Sequence, residues 1–243
     1  MISKGHKKHI DIARPSYGYY SRNEWAIVGA QCSVTRSLAA DIIKALSPQY
    51  KCAYADAKHS HENEEVILPQ HLENGAIAEY TNHLHYHQFN FTKAFSKFQY
   101  RQVFNDTDMI LVNGNHFEAK SQVVVIDESK KASLKKRISQ LTNVELILLG
   151  GNEMEVFDFI KEVLPSWSQL PVYKLNETGK IIEFFKKKMQ QATPLLNGLV
   201  LAGGKSERMG YDKGMIVWHG REQQYYLADL LKNLCEEVYI SCR

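Results

Sequence analysis

The chain has 243 residues, enough for one large or two small domains and for a real buried core. Lys and Arg outnumber Asp and Glu by only 30 to 27, and the basic runs Lys7-Lys8, Lys135 to Arg137 and Lys186 to Lys188 are short and scattered, which argues against nucleic acid as a partner. Cys32, Cys52, Cys235 and Cys242 have no CxxC spacing, and no apolar run nears the roughly 18–20 residues of a membrane span, so a soluble cytoplasmic protein with reduced thiols is expected, with no membrane partner.

Residues 1–22 carry Pro15, Gly18 and three tyrosines without a clear period and read as an arm. No apolar segment of a signal peptide follows the charged N-terminus. From Glu24 the pattern is strand, turn, helix: WAIVG, then SLAADIIKAL with Leu38, Ile42, Ala45 and Leu46 at helical spacing. Short apolar runs at 51–55, 108–112, 122–126 and 144–149 suit buried strands, and 132–141 and 155–164 suit helices between them. Residues 23–190 therefore read as an α/β domain with a mostly parallel sheet flanked by helices. A last short run, LPVYKLNE, and a closing helix, IIEFFKKKMQQ, lead to a proline-containing linker at 191–197. Residues 198–243 offer a strand at 198–202, a loop to about 214, a helix at 222–235 and a strand at 236–242, too little for an ordinary α/β domain.

Gly203 and Gly204 follow the apolar run GLVLA directly, which places the loop at the carboxyl end of a strand, where open α/β sheets bind ligands. Glycine there lets main-chain N–H groups approach a phosphate or base edge. Lys205, Arg208 and Lys213 add three positive charges that suit a triphosphate. The alternative is a plain glycine turn with solvated charges.

The whole string Leu201 to Lys213, LAGGKSERMGYDK, resembles the nucleotide loop of molybdenum cofactor guanylyltransferases, and WHGREQQYYLADLL continues the resemblance over roughly 197–243. The resemblance implies the first β-α-β portion of a Rossmann-like nucleotidyltransferase domain that transfers GMP from GTP to molybdopterin and releases pyrophosphate. It implies that Leu201, Ala202, Gly203 and Gly204 hold the nucleotide, that Lys213 binds phosphate during catalysis, and that Arg208 stabilises the departing pyrophosphate. The family also needs Mg²⁺, whose aspartate ligands lie further downstream, so the ligands are expected to be absent here. Asp212 and Asp229 are the remaining acidic candidates. A C-terminally truncated enzyme, inactive on its own, is the expectation, and Cys242 stands where the family has an asparagine.

In the first domain, Gly29 opens the setting of a P-loop, G-x-x-x-x-G-K-[ST], but Val34, Thr35 and Arg36 occupy its second glycine, lysine and hydroxyl positions, so nucleotide hydrolysis is not expected. The segments AYADAKHSH, DMILVNGNHFEAKSQVVVID and LPVYKLNETGKIIEFF resemble the molybdopterin-guanine dinucleotide biosynthesis adaptor, a P-loop-like protein, with Asn113 in place of an acidic residue before Gly114. The resemblance implies a degenerate adaptor fused to a transferase, with other molybdenum cofactor pathway proteins as partners. Two alternatives stay open: a non-catalytic binding module of the same pathway, and a cytidylyl or sugar-phosphate transferase. His83, His85 and His87 would share one face if extended, and His59 and His61 repeat the spacing; both groups are read as surface or partly buried histidines without a metal. Phe89, Phe91, Phe95 and Phe98 are read as core.

Overall fold

The computed structural model describes residues 18–57, 68–152, 155–202 and 210–241. The chain divides after Met189 into two compact units.

Unit 1 is built on a six-stranded sheet. Its strands are β1 (Glu24–Val28), β2 (Cys52–Ala55), β5 (Met109–Asn113), β6 (Ser121–Ile126), β7 (Val144–Leu149) and β8 (Val172–Lys174), in the order β2-β5-β1-β6-β7-β8. Every neighbouring pair is parallel, with Trp25 opposite both Leu111 and Ser121. The central strands are buried throughout and mostly apolar because both faces of the sheet are covered, so side chains pointing up or down are shielded alike. One face packs α1 (Cys32–Leu46) and α6 (Thr178–Ala192) around Ile27, Leu111, Val123 and Phe185. The other packs Leu134 of α4 (Lys131–Lys136) and Ile160 of α5 (Asp158–Val163) around Val28, Val112 and Ile147.

Helix α1 starts five residues before the apolar periodicity, at Cys32, because the turn after β1 closes quickly through Gly29. Gly29 has φ +92°, and a Cβ there would stand 2.4 Å from the Val125 carbonyl oxygen. The helix expected over 132–141 is broken instead: α4 stops at Lys136 and a 3₁₀ turn covers Ile138–Gln140.

Sequence periodicity missed α2 (Gln70–Glu73), α3 (Lys97–Val103) and a separate antiparallel hairpin of β3 (Ala78–Asn82) and β4 (His87–Phe91). The hairpin bears on two expectations, and His83, His85 and His87 are surface residues as read from the sequence. His83 and His85 lie in its turn and only His87 is in a strand, so the three do not share an extended face; Leu84 between them takes φ 63°. Phe89, Phe91 and Phe98 are exposed rather than core, and Phe95 is half-buried against Phe91 and Tyr100. His59 and His61 lie outside the described residues.

Unit 2 has β9 (Asn197–Leu201) paired parallel with β10 (Glu237–Ser241), joined through a 3₁₀ turn (Lys213–Met215) and α7 (Gln223–Lys232). Gly198 lets the strand approach the helix: a Cβ there would meet Leu231 and the Cys235 sulfur at 3.2 Å. Burial alternates along β9, with Val200 inside and Leu199 and Leu201 outside. No described helix is long and apolar enough to cross a membrane, and Cys32, Cys52 and Cys235 are free thiols.

Candidate functional site

Leu201 and Ala202, two of the residues expected from the sequence to hold a nucleotide, lie at the carboxyl end of β9. Leu201 is the last strand residue and is 81% exposed. The Ala202 amide donates to the Ser241 carbonyl at 3.0 Å, extending the β9–β10 ladder by one step. Gly203, Gly204, Lys205 and Arg208 lie outside the described residues.

The far end of the loop returns to the same place. Asp212 caps the 3₁₀ turn by accepting the Gly214 amide at 2.9 Å, and a Cβ on Gly214 would lie 3.6 Å from the Ala202 Cβ. Lys213 follows the cap, is exposed, and makes no ion pair with a described residue. Ala202 and Lys213 are thus brought together at one strand end.

The two aspartates of unit 2 do not fit a Mg²⁺ site. Asp212 Oδ1 is taken by the Gly214 amide, and Asp229 on α7 forms ion pairs with Arg221 and Lys232. Those two cations hold the Asp229 carboxyl below its usual range, chiefly through the Lys232 hydrogen bond. Among the described residues, no group of three or more His, Cys, Asp or Glu side chains could hold a metal ion.

Unit 1 has a second polar cluster, at the carboxyl ends of β1, β2 and β5. Asp56, just beyond β2, accepts from Asn113 Nδ2 at 2.8 Å, from the Ala57 amide at 2.8 Å, from Tyr54 Oη at 3.0 Å and from Arg36 at 3.2 Å. Burial alone would push this carboxyl up, but the donors outweigh it and its pKa lies below the usual value. His116 Nε2 is 3.9 Å from Asp56 Oδ1 and 3.4 Å from Cys32 Sγ. Asn115 Nδ2 donates to the Ala30 carbonyl at 2.9 Å, which ties the loop after β5 to the turn after β1.

This cluster occupies the P-loop position, with Thr35 and Arg36 where that motif has its lysine and its hydroxyl residue. Thr35, at the lysine position, is fully buried on α1, and its Oγ1 has no hydrogen-bond partner among the described residues. Arg36, at the hydroxyl position, is turned to Asp56. Sequence reading did not single out Asp56, His116 or Cys32. The available signal was Asp56 directly after a strand and His116 two residues past the Gly114 turn; both sit in segments whose likeness to the adaptor is weakly patterned.

Unit 1 is thus a P-loop-like α/β fold, and unit 2 is a β-α-β unit with a loop between its first strand and its helix. Residues 198–243 match the MobA-like NTP transferase domain family. The chain is similar to the molybdenum cofactor biosynthesis bifunctional protein of Synechocystis sp., with 45% identity over 105 residues, covering 42% of this chain and 28% of that protein. It is also similar to the molybdenum cofactor guanylyltransferase of Pseudomonas entomophila, with 40% identity over 55 residues, covering 22% of this chain and 29% of that protein. The matched part spans less than a third of the length of either relative. The crystal structure of Bacillus subtilis MobB superposes with a TM-score of 0.50 at 15% identity, covering 68% of this chain and 97% of that one, and so shares the fold.

Proposed function

We propose that this chain acts in molybdenum cofactor biosynthesis, with unit 2 supplying the GTP-binding loop of a guanylyltransferase that transfers GMP to molybdopterin and releases pyrophosphate. The observation that carries the reading is the family match over 198–243, centred on LAGGKSERMGYDK.

In this reading the main chain of Leu201 to Gly204 cradles the nucleotide at the strand end, Lys213 holds phosphate, and Arg208 neutralises charge on the departing pyrophosphate. Such a step needs in-line positioning and charge neutralisation rather than a protein nucleophile. Mg²⁺ would supply further charge neutralisation, and Asp212 and Asp229 do not provide its ligands. Unpaired thiols suit the cytoplasm as the working compartment.

A second reading makes unit 1 a non-catalytic adaptor module for the same pathway. It is favoured by the Thr35 and Arg36 substitutions at the phosphate-gripping positions of a fold shared with MobB.

Calorimetric titration of the full chain with GTP, CTP and GMP tests the transferase reading. GTP is expected to bind more tightly than CTP, and more tightly than GMP because the basic loop engages the triphosphate. Lys213→Ala is expected to remove the triphosphate advantage. Equal binding of CTP points to a cytidylyl transferase, and an unaltered Lys213→Ala variant overturns the assigned role.

A further inference from the structure

The group of Cys32, His116 and Asp56 takes no part in the proposed transfer of GMP. Strand β1 leads through α1 to β2 on the far side of β5, whereas β5 leads to β6 on the far side of β1. The two connections part at the carboxyl ends of β1 and β5, the point at which open α/β sheets form a crevice. Cys32 opens the first turn of α1 there, His116 stands on the seven-residue connector 114–120 between β5 and β6, and Asp56 follows β2.

Gly114 brings the connector close, since a Cβ on it would stand 2.8 Å from the Ile27 carbonyl oxygen. The Cys32 sulfur is met by two nitrogens, His116 Nε2 at 3.4 Å and Asn115 Nδ2 at 3.7 Å. Asn115 is held in place by Arg137, whose Nη1 donates to Asn115 Oδ1 at 3.2 Å. His116 Nε2 can take the thiol proton, and Asp56 Oδ1, 3.9 Å from it, faces the imidazolium that results. Neither a side-chain cap nor an acidic residue occupies the start of α1, so its first amides remain available to negative charge. A second, independent feature lies one turn on: Thr35 shares the helix face of Cys32, is fully buried, and its Oγ1 has no partner among the described residues. A buried hydroxyl left unpaired is costly, which favours a polar group entering beside the sulfur.

We infer that Cys32 is a site of reversible thiol–disulfide exchange with a small disulfide that bears carboxylates. His116 Nε2 takes the Cys32 proton, and the sulfur attacks one sulfur of the incoming disulfide. A new S–S bond forms as the old one breaks, and the departing thiolate recovers the proton from His116. One thiol and one disulfide thus give one mixed disulfide and one thiol, with no other oxidant. Arg36, exposed one turn along α1, keeps N–H groups beyond its Asp56 contact, and these draw the carboxylates together with the first-turn amides. The half-buried Cys52 lacks this setting: burial, with Asp108, pushes its thiol up. The inference stands on unit 1 alone and holds whether or not unit 2 transfers GMP.

The test is incubation of the full chain at neutral pH with glutathione disulfide, timing the adduct at each cysteine by peptide mass spectrometry. Cys32 is expected to react at least about tenfold faster than Cys52 and Cys235, given its base and donors. Normalised to free cysteine, it should also react faster with glutathione disulfide than with the uncharged hydroxyethyl disulfide. His116→Ala should slow the exchange by about tenfold or more, the lower end for loss of a general base. Added imidazole should restore part of that rate, which a purely structural role would not produce. Thermal melts verify folding, and His116→Gln gives the rate comparison if the alanine variant melts early. A Cys32 no faster than Cys235, an unaltered rate in a folded His116 variant, or an absence of rescue in folded His116→Ala overturns the site. Equal normalised rates for the two disulfides overturn the preference for carboxylates.

Discussion

The Asn113 amide nitrogen stands 2.8 Å from Asp56 Oδ1, joining the ends of β5 and β2 through a hydrogen bond from a buried asparagine to a half-buried carboxylate. Asn113→Asp, which restores an acidic residue before Gly114, would set two carboxylates within contact of each other. A loss of about 1–3 kcal/mol at pH 7 is expected, shrinking as the pH falls and one carboxyl takes a proton. Urea melts at pH 7 and pH 4.5 check this; equal losses at both would reject the repulsion account.

Asp56 and Glu145 together set an acid limit on stability. Burial pushes the Glu145 carboxyl up, but Trp25, Lys188 and Ser121 more than offset it and its pKa falls below normal. A carboxylate whose folded-state pKa is depressed stabilises the fold above its unfolded value, near pH 4, and loses that contribution as the pH falls through the folded value. Stability is therefore expected to decline below about pH 4. Glu145→Gln should flatten that decline and cost about 1–3 kcal/mol at neutral pH, since it leaves Lys188 without its 3.0 Å partner. Melting temperature against pH for both proteins is the measurement.

Glu24 is a buried carboxylate at the start of β1 that accepts four backbone amides, those of Tyr19, Tyr20, Ser21 and Lys120, at 2.7–3.1 Å. Glu24→Gln replaces two acceptor sites with donors facing N–H groups, and a cost above about 3 kcal/mol is expected by denaturant unfolding. Because the same amides place Tyr19 and Tyr20, limited proteolysis should become faster near residues 18–21. A variant as stable as the parent would show that these amides find other acceptors.

Much of this architecture was readable from the amino acids. Runs such as MILVN and SQVVVI carry apolar side chains on both faces, a pattern that only a doubly covered parallel strand satisfies. The hairpin was not readable, because Tyr80, Phe89 and Phe91 are apolar yet exposed, so periodicity signals nothing about their surroundings. Within the candidate sites, the strand end bearing Ala202 and the turn bearing Lys213 followed from a contiguous string. The group of Cys32, Asp56, Asn113 and His116 did not, since those residues meet only through the strand order β2-β5-β1.

Gly29→Ala tests the tight turn into α1. The substitution meets both an unfavourable positive φ and the Val125 carbonyl, so a loss of more than about 2 kcal/mol is expected in thermal or urea unfolding. A loss under about 1 kcal/mol would mean that the turn relaxes without disturbing the helix.

The short run from Asn113 to Ser121 also constrains how the sheet can form. It ties together two strands that are not neighbours, because β1 lies between β5 and β6 and pairs with both. Strands β5 and β6 are close in the chain and can meet early, but the slot they leave must be filled by a strand from far upstream, a contact of high sequence separation that slows folding. Once filled, the slot holds β1 by hydrogen bonds on both edges. Residues 24–28 should therefore be among the last amides of unit 1 to exchange with solvent.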